Sequence, residues 1–323
     1  MAKNEVRKLI HFGNSSYVIS LPKEWIDKNK LGKGDLVYLT KNENDNLVVQ
    51  PHEKNQEKVE KETTISADGK NMEKLRREII AAYLNNYSTV KLIGKEIGSK
   101  LRAIKTIIRN LIAMEIVNQT RTEVTAKVFL DPETINFKEI TTKIDVMVRS
   151  LFHDMIQMIR DGDFSEREME EIITRDEELN SLFFLSHKIL KERLENPFLV
   201  KNSKLTEIFE SWHTNFNLEF VGDRIKEIAE VLQRSKMLKD PKIKKQILDI
   251  FTELEKTYLQ VMKARHSNDV KLALQLGTRK DEIKKRCKLL SEKYWDKKRV
   301  PEICEQLKNI ARGTHAIARR IYS

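Results

Sequence analysis

The distribution of apolar residues changes character along the chain. Through the first fifty residues apolar and polar side chains alternate in short runs, as in β-strands, whereas the last two hundred or so carry the three- and four-residue spacing of long helices. A charged segment almost without large apolar side chains lies between them and cannot order itself strongly. We therefore predict a β-rich domain over 1–52, a linker over 53–62, a small α/β domain over 63–133 and a helical domain over 134–323.

The β-rich domain is predicted to contain two hairpins and a short helix. Alternating runs flank the turn residues Gly13–Ser16, and Pro22 ends the second run. The predicted elements are strands at 6–12 and 17–21, a helix that begins at residue 23, and strands at 36–39 and 47–49. So small a module has little core of its own, so we expect it to dimerise.

The α/β segment alternates strand and helix patterns. Strands are predicted at 63–66, 89–93 and 123–129, with helices over 72–84 and along the apolar face from Leu101 to Ile112. This order predicts a small βαβαβ domain.

The helical region contains an internal duplication. One apolar ladder runs through Ile140, Ile144, Met147, Leu151, Met155 and Met158. A second, with the same spacing, runs through Ile243, Ile247, Ile250, Leu254, Tyr258 and Val261. Later segments also correspond, Thr174–Asn180 to Thr278–Lys284 and Leu218–Glu230 to Leu307–Arg319. We predict two three-helix bundles, and hence an α+β multidomain chain that is mostly α.

Composition narrows the class of protein. Charged residues make up 34% of the chain, and no apolar run is long enough to cross a bilayer. Lys3, Glu5 and Arg7 leave no apolar core for a signal peptide, so we expect a cytoplasmic protein without membrane insertion. The net charge of +11 is compatible with a polyanionic partner but is spread along the chain.

Little in the sequence indicates catalysis. Nucleophile elbows, zinc-protease helices and phosphate loops are absent from the sequence, so we expect no enzyme. Cys287 and Cys304 lack the spacing of a zinc or redox motif and are interpreted as ordinary helix positions.

The run from Gly13 to Trp25, followed by Gly32-Lys33-Gly34-Asp35, resembles the AbrB/MazE/SpoVT swapped-hairpin family. The resemblance spans Val6 to Pro51 and implies an intertwined homodimer whose β-ribbon surface meets double-stranded DNA. The DNA-binding residues that it implies are Arg7, Lys8, Asn14, Ser15 and Ser16, with Lys23, Lys28 and Lys30 as flanking phosphate contacts. Long cations suit phosphate neutralisation, and short hydroxyl and amide groups suit close hydrogen bonds. The alternative is a solvated surface on a module that only dimerises.

The segment Leu218–Glu230 resembles the third helix of PhoU, the phosphate-uptake regulator family, in which a Glu-x-x-x-Asp motif can hold metal. The whole chain resembles archaeal proteins that fuse an AbrB-type domain to a PhoU domain. Glu219 and Asp223 share one helix face, and Asp176 is a candidate third ligand for Mg²⁺, Mn²⁺ or iron in the first bundle. Alternatively, Glu219 pairs with Arg224 or a lysine.

The second repeat carries cations where the first carries acids or an amide. The four positions are Lys280, Lys284, Lys308 and Arg312. Clustered cations repel a metal, so we expect any metal in the first bundle only. Two alternatives stay open for the cations: neutralisation by Asp281, Glu282 and Glu305, or convergence on an anion such as phosphate.

Together these features predict a homodimeric DNA-binding transcriptional regulator, of phosphate uptake or homeostasis, with a signal-sensing helical body. One alternative is an accessory protein that controls a phosphate transporter or kinase by direct contact. Another is a general chromatin-associated protein. The sequence names neither the operator nor the signal.

Overall fold

The computed structural model describes residues 5–41, 45–51, 60–131, 134–195, 205–235, 237–297 and 299–323. The chain divides into two compact units, Met1–Glu60 and Lys61–Ser323. Of the predicted linker 53–62, residues 53–59 lie outside the described residues, and Glu62 already belongs to a strand.

The first unit contains two antiparallel hairpins and one short helix. Its elements are β1 (Ile10–Phe12), β2 (Ser16–Val18), α1 (Lys23–Lys28), β3 (Tyr38–Lys41) and β4 (Leu47–Gln50). Ile10 lies opposite Val18, and β3 pairs with β4 in the same antiparallel sense. The first two strands are shorter than predicted. An isolated two-stranded hairpin has no packed layer to hold its ends, so only the residues nearest the turn stay paired.

The second unit begins with a four-stranded mixed sheet. Its elements are β5 (Glu62–Ser66), α2 (Met72–Leu84), β6 (Thr89–Ile93), α3 (Ile97–Arg109), β7 (Met114–Gln119) and β8 (Glu123–Val128). The strand order is β5-β6-β8-β7, with β5 parallel to β6 and the other pairs antiparallel. The apolar residues of α2 and α3 form one core with the sheet.

The sequence-based prediction of three strands is wrong here, because β7 is a fourth. A register irregularity between Ile116 and Asn118 breaks the alternation of β7, which hides its strand pattern. The preceding helix also ends at Arg109, before the predicted Ile112.

The remaining helices form two packed bundles. The first contains α4 (Phe137–Asp161), α5 (Glu166–Glu195) and α6 (Leu205–Gln233). The second contains α7 (Pro241–Ser267), α8 (Val270–Leu276), α9 (Arg279–Lys293) and α10 (Arg299–Tyr322). The prediction of three helices in the second bundle is wrong in one respect, since its second helix is interrupted at Gly277–Thr278. Glycine and threonine are weak helix formers, which accounts for the break there.

The two bundles repeat the same burial register. The buried positions Leu218, Val221, Ile225, Ile228 and Ala229 of α6 recur in α10 as Leu307, Ile310, Thr314, Ile317 and Ala318. The two bundles pack on each other through α6 against α10 and α4 against α7, and they share one apolar core. Within the described residues, no helix combines the length and apolar character that crossing a membrane requires.

A buried lysine joins the first bundle to the α/β part. Lys188 of α5 is 4% exposed, and its Nζ donates to the Tyr83 carbonyl oxygen at 3.3 Å and to Asn86 Oδ1 at 3.2 Å. These acceptors lie at the carboxyl end of α2, where the helix dipole attracts a cation. Lys188 thereby holds α2 against α5.

Helices α6 and α10 approach closely at Gly313. A Cβ atom added there would lie 2.9 Å from Val221 Cγ2 and 3.1 Å from Phe220 Cδ1. Both atoms belong to stiff side chains on α6, so an added methyl group forces the helices apart.

We predict that Gly313→Ala lowers the free energy of unfolding by about 1–3 kcal/mol, the usual cost of overpacking a core. Gly98→Ala in α3 is the matched control, because its added Cβ would meet nothing closer than the Arg121 carbonyl oxygen at 3.8 Å. That control should raise the free energy of unfolding by up to about 1 kcal/mol, because alanine favours the helix more than glycine does. Thermal unfolding monitored by circular dichroism compares the two, and equal shifts in both variants would contradict the close packing of α6 on α10.

Candidate functional site

All eight predicted DNA-contacting residues are exposed to solvent. Arg7 and Lys8 precede β1, Asn14 and Ser15 lie in its turn, and Ser16 begins β2. The residues of this set around α1 are Lys23, Lys28 and Lys30. The Arg7 guanidinium forms an ion pair with the exposed Glu5, which a polyanion could replace at small cost. Cations, hydroxyls and an amide are therefore free to meet a ligand along the strand and its turn.

The same unit leaves its apolar side chains uncovered. None of its described residues is buried. Phe12 is 69% exposed, and Ile10, which lies opposite Val18 in the first hairpin, is 60% exposed. Exposed apolar surface on this scale in so small a module indicates an association surface.

In the first bundle the three predicted carboxylates lie in one neighbourhood. Asp176 on α5 is buried, and Asp223 on α6 lies near enough for the Asp176 charge to raise its pKa. Glu219 lies one turn before Asp223, and the negative charges of Asp223 and Asp176 both act on its carboxyl group. Burial, followed by the charges of Asp223 and Asp176, raises the pKa of Glu219 to about 7. Burial and the Asp176 charge raise the pKa of Asp223 to about 6.

A lysine supplies a positive charge to this carboxylate cluster, which we define as Asp176, Glu219 and Asp223. Lys226 Nζ donates to Asp176 Oδ2 at 2.5 Å, and Asn180 Nδ2 donates to the same oxygen at 3.2 Å. The alternative partner of Glu219, Arg224, pairs instead with Glu227 at 3.0 Å and with Asp223 at 3.7 Å.

The geometry of the carboxylate cluster does not itself point to a metal ion. Among the described residues, no group of three histidine, cysteine, aspartate or glutamate side chains could hold one. The ammonium group of Lys226 already offsets the charge of Asp176, as a bound cation would. The cation site stays a prediction.

The cations of the second bundle are mostly paired with nearby carboxylates. Lys308 and Arg312 both pair with Glu305, and Lys284 lies 3.8 Å from Asp281. The four cations thus divide between α9 and α10, and the neutralisation alternative accounts for three of them. Lys280 lines a cavity of about 10 Å³ with Thr314 and His315. That volume admits one water molecule at most and is too small for phosphate.

Two buried polar contacts escaped the sequence-based predictions. The first is Asp145 on α4, which accepts hydrogen bonds from Tyr258 Oη at 2.6 Å and from Arg149 at 3.0 and 2.7 Å, with His266 Nε2 at 3.3 Å. In the sequence, this contact was indicated only by a carboxylate among the apolar positions of α4. This network joins α4 to α7.

The second is a pair of thiols. Cys287 on α9 and Cys304 on α10 are free and buried, and they lie near enough for each thiol to shift the pKa of the other. Spacing along the chain could not show this pairing, because it arises from the packing of two separate helices.

The raised pKa of Glu219 predicts that Glu219→Gln stabilises the protein at high pH. Glu219 titrates at about 7 in the folded chain against an ordinary value of 4.5, so between these values the folded state holds a proton that the unfolded state has lost. Ionisation therefore destabilises the fold fully above pH 7 and not at all below 4.5. We expect Glu219→Gln to add about 2–3 kcal/mol at pH 8 and almost nothing near pH 4.5.

Urea denaturation across this pH range, with a chelator present, measures the effect. Glu227→Gln, on the same helix and paired with Arg224, is the control and should not reproduce the pH dependence. An equal gain for Glu219→Gln at both ends of the range would contradict the assignment.

Comparison with known families supports both resemblances seen in the sequence, that of the N-terminal unit and that of the first helical bundle. A family model described as antidote-toxin recognition MazE, bacterial antitoxin, matches residues 10–57, and the PhoU domain model matches residues 142–232. The first match covers the hairpin unit, and the second covers most of α4 through to the end of α6. No curated protein and no solved structure matches the chain. The chain is a fusion of an N-terminal antitoxin domain of the MazE/AbrB type with a PhoU domain.

Proposed function

We propose that this regulator-like fusion is a homodimeric DNA-binding regulator of transcription, and that its PhoU body conveys a signal of phosphate status. The observation that carries the proposal is the N-terminal unit, in which exposed cations, hydroxyls and an amide lie beside apolar residues that the single chain leaves uncovered.

The uncovered residues support dimerisation. Ile10 and Phe12 share a face of β1, and Val18 lies opposite Ile10 on β2. Burying apolar surface contributes about 25 cal/mol per Å², so a second copy that covers this face gains substantially. A C2 dimer would place two copies of the basic strand and turn on one assembly, the arrangement that a palindromic DNA site requires.

The exposed polar residues suit the backbone of DNA. Arg7 and Lys8 provide charge for phosphate neutralisation, and Asn14, Ser15 and Ser16 provide short donors for phosphate oxygens. Most of these groups position a protein on DNA and do not discriminate among bases, so further contacts would supply sequence preference.

The PhoU part supports a sensing role without catalysis. Burial raises the pKa of Glu219 to about 7 and that of Asp223 to about 6, close to neutral pH. The network at Asp145 joins α4 to α7, and the buried thiols lie on α9 and α10. We propose that binding, and no chemical reaction, changes the relation between the helices, and that this change reaches the DNA-binding unit.

We predict that Arg7→Ala combined with Lys8→Ala weakens DNA binding about tenfold or more at 0.1 M salt. Each lost phosphate contact should also reduce the slope of log affinity against log salt by about 1. Fluorescence anisotropy with a promoter duplex and a random duplex measures both quantities on the full chain.

A charge-matched control is Lys242→Ala combined with Lys256→Ala on α7, which should leave affinity and slope unchanged. If the two double variants bind alike, the DNA interface is misplaced. Binding without preference for the promoter duplex would favour a chromatin-associated role, and no binding by the parent chain would favour the accessory-protein alternative.

We predict separately that Ile10→Asp dissociates the dimer. A carboxylate forced into an apolar interface costs several kcal/mol, so the dissociation constant should rise at least about a hundredfold. Sedimentation equilibrium of the full chain tests this, with Lys33→Asp in the exposed turn after α1 as the control. A sedimentation profile identical to the parent's would show that this face is not the dimer interface.

A further inference from the structure

A cleft of about 690 Å³ opens where α2 and α3 of the α/β part meet α5 of the first bundle. Each helix lines the cleft with residues that lie four apart and therefore share one face. They include Arg76 and Ile80 from α2, Arg102 and Thr106 from α3, and Asn180 and Phe184 from α5. Small-molecule sites occupy about 300–1,000 Å³ and favour junctions between domains. The cleft meets both conditions.

In the cleft the carboxylates have partners among the described residues, whereas two arginines have no ion-pair partner there. Arg76 and Arg102 are exposed, and neither forms an ion pair with any residue that the structure describes. The two carboxylates in the wall are already engaged: Glu73 pairs with Arg77, and Glu177 accepts a hydrogen bond from Asn110 Nδ2 at 3.3 Å. Two guanidinium groups therefore remain for a ligand, and their planar donors suit carboxylate or phosphate.

The rest of the wall is largely apolar. Ile80, Ile107 and Phe184 are half-buried and come from all three helices. Inorganic phosphate would reach the guanidinium groups but leave most of this surface wet. A ligand that also carries an apolar or aromatic body would cover the apolar wall and fill the volume.

We propose that this cleft binds a small amphipathic anion, with its carboxylate or phosphate group on Arg76 and Arg102 and its apolar body against Ile80, Ile107 and Phe184. The proposal goes beyond DNA binding and does not depend on it.

One residue connects the cleft to the carboxylate cluster. Asn180 lines the cleft, and its Nδ2 donates to Asp176 Oδ2, the oxygen that also accepts from Lys226. A ligand that hydrogen-bonds to Asn180 competes for this amide and changes the support of a buried carboxylate. A ligand in the cleft would thereby contact α5 beside the carboxylate cluster.

The test uses 8-anilinonaphthalene-1-sulfonate, a fluorescent probe with an aromatic body and one anionic group, on the full chain. Arg76→Gln combined with Arg102→Gln should raise its dissociation constant at the cleft at least tenfold. Lys74→Gln combined with Arg109→Gln removes equal charge from exposed positions of the same two helices and should leave it unchanged. Because the probe also binds other apolar surface, the difference between these matched variants is the result.

A second variant tests occupancy of the same volume. Ala103→Trp fills the cleft from α3 and should abolish the arginine-dependent binding, with circular dichroism confirming the fold. Competition with AMP and with indole-3-acetate then distinguishes phosphate from carboxylate as the anionic group. Equal probe affinity in the two glutamine double variants, or displacement by neither competitor at millimolar concentration, would overturn the proposal.

Discussion

The arrangement of the second unit depends on the buried ammonium group of Lys188. It belongs to α5 and donates to a carbonyl and an amide oxygen at the carboxyl end of α2, so it joins the α/β part to the first bundle. A buried cation is tolerated only with such partners, because desolvation of an unpaired charge is costly. This contact joins two of the three helices that form the proposed cleft, α2 and α5.

The two bundles show how a duplicated framework can keep its packing while its chemistry diverges. Buried positions recur in the same register on α6 and α10, because any change there would disturb close-packed neighbours. Polar positions are not restrained in this way. The first bundle gathers three carboxylates around Lys226, whereas the second places Lys308 and Arg312 around Glu305.

The periodicity of apolar residues predicted the regular helices, but it missed local irregularities of the backbone and contacts between residues distant in sequence. The ladders of α4 and α7 followed from spacing, and the first hairpin followed from alternation together with its turn residues. A bulge concealed β7, and the break before α9 depends on a single glycine and threonine. The arginines of the cleft, the thiol pair and the Asp145 network come together only through packing between helices. The resemblance to PhoU and the four-residue spacing suggested the carboxylate cluster, but its lysine partner became visible only when α5 was placed against α6.

The uncovered apolar residues of the N-terminal unit affect how the amount of active protein would depend on the concentration of the chain. If two copies must meet before this unit is covered, the amount of competent protein varies with the square of the chain concentration when copies are scarce. A twofold change in expression would then change the active species about fourfold. A regulator built in this way would respond to its own gene dosage as well as to any ligand.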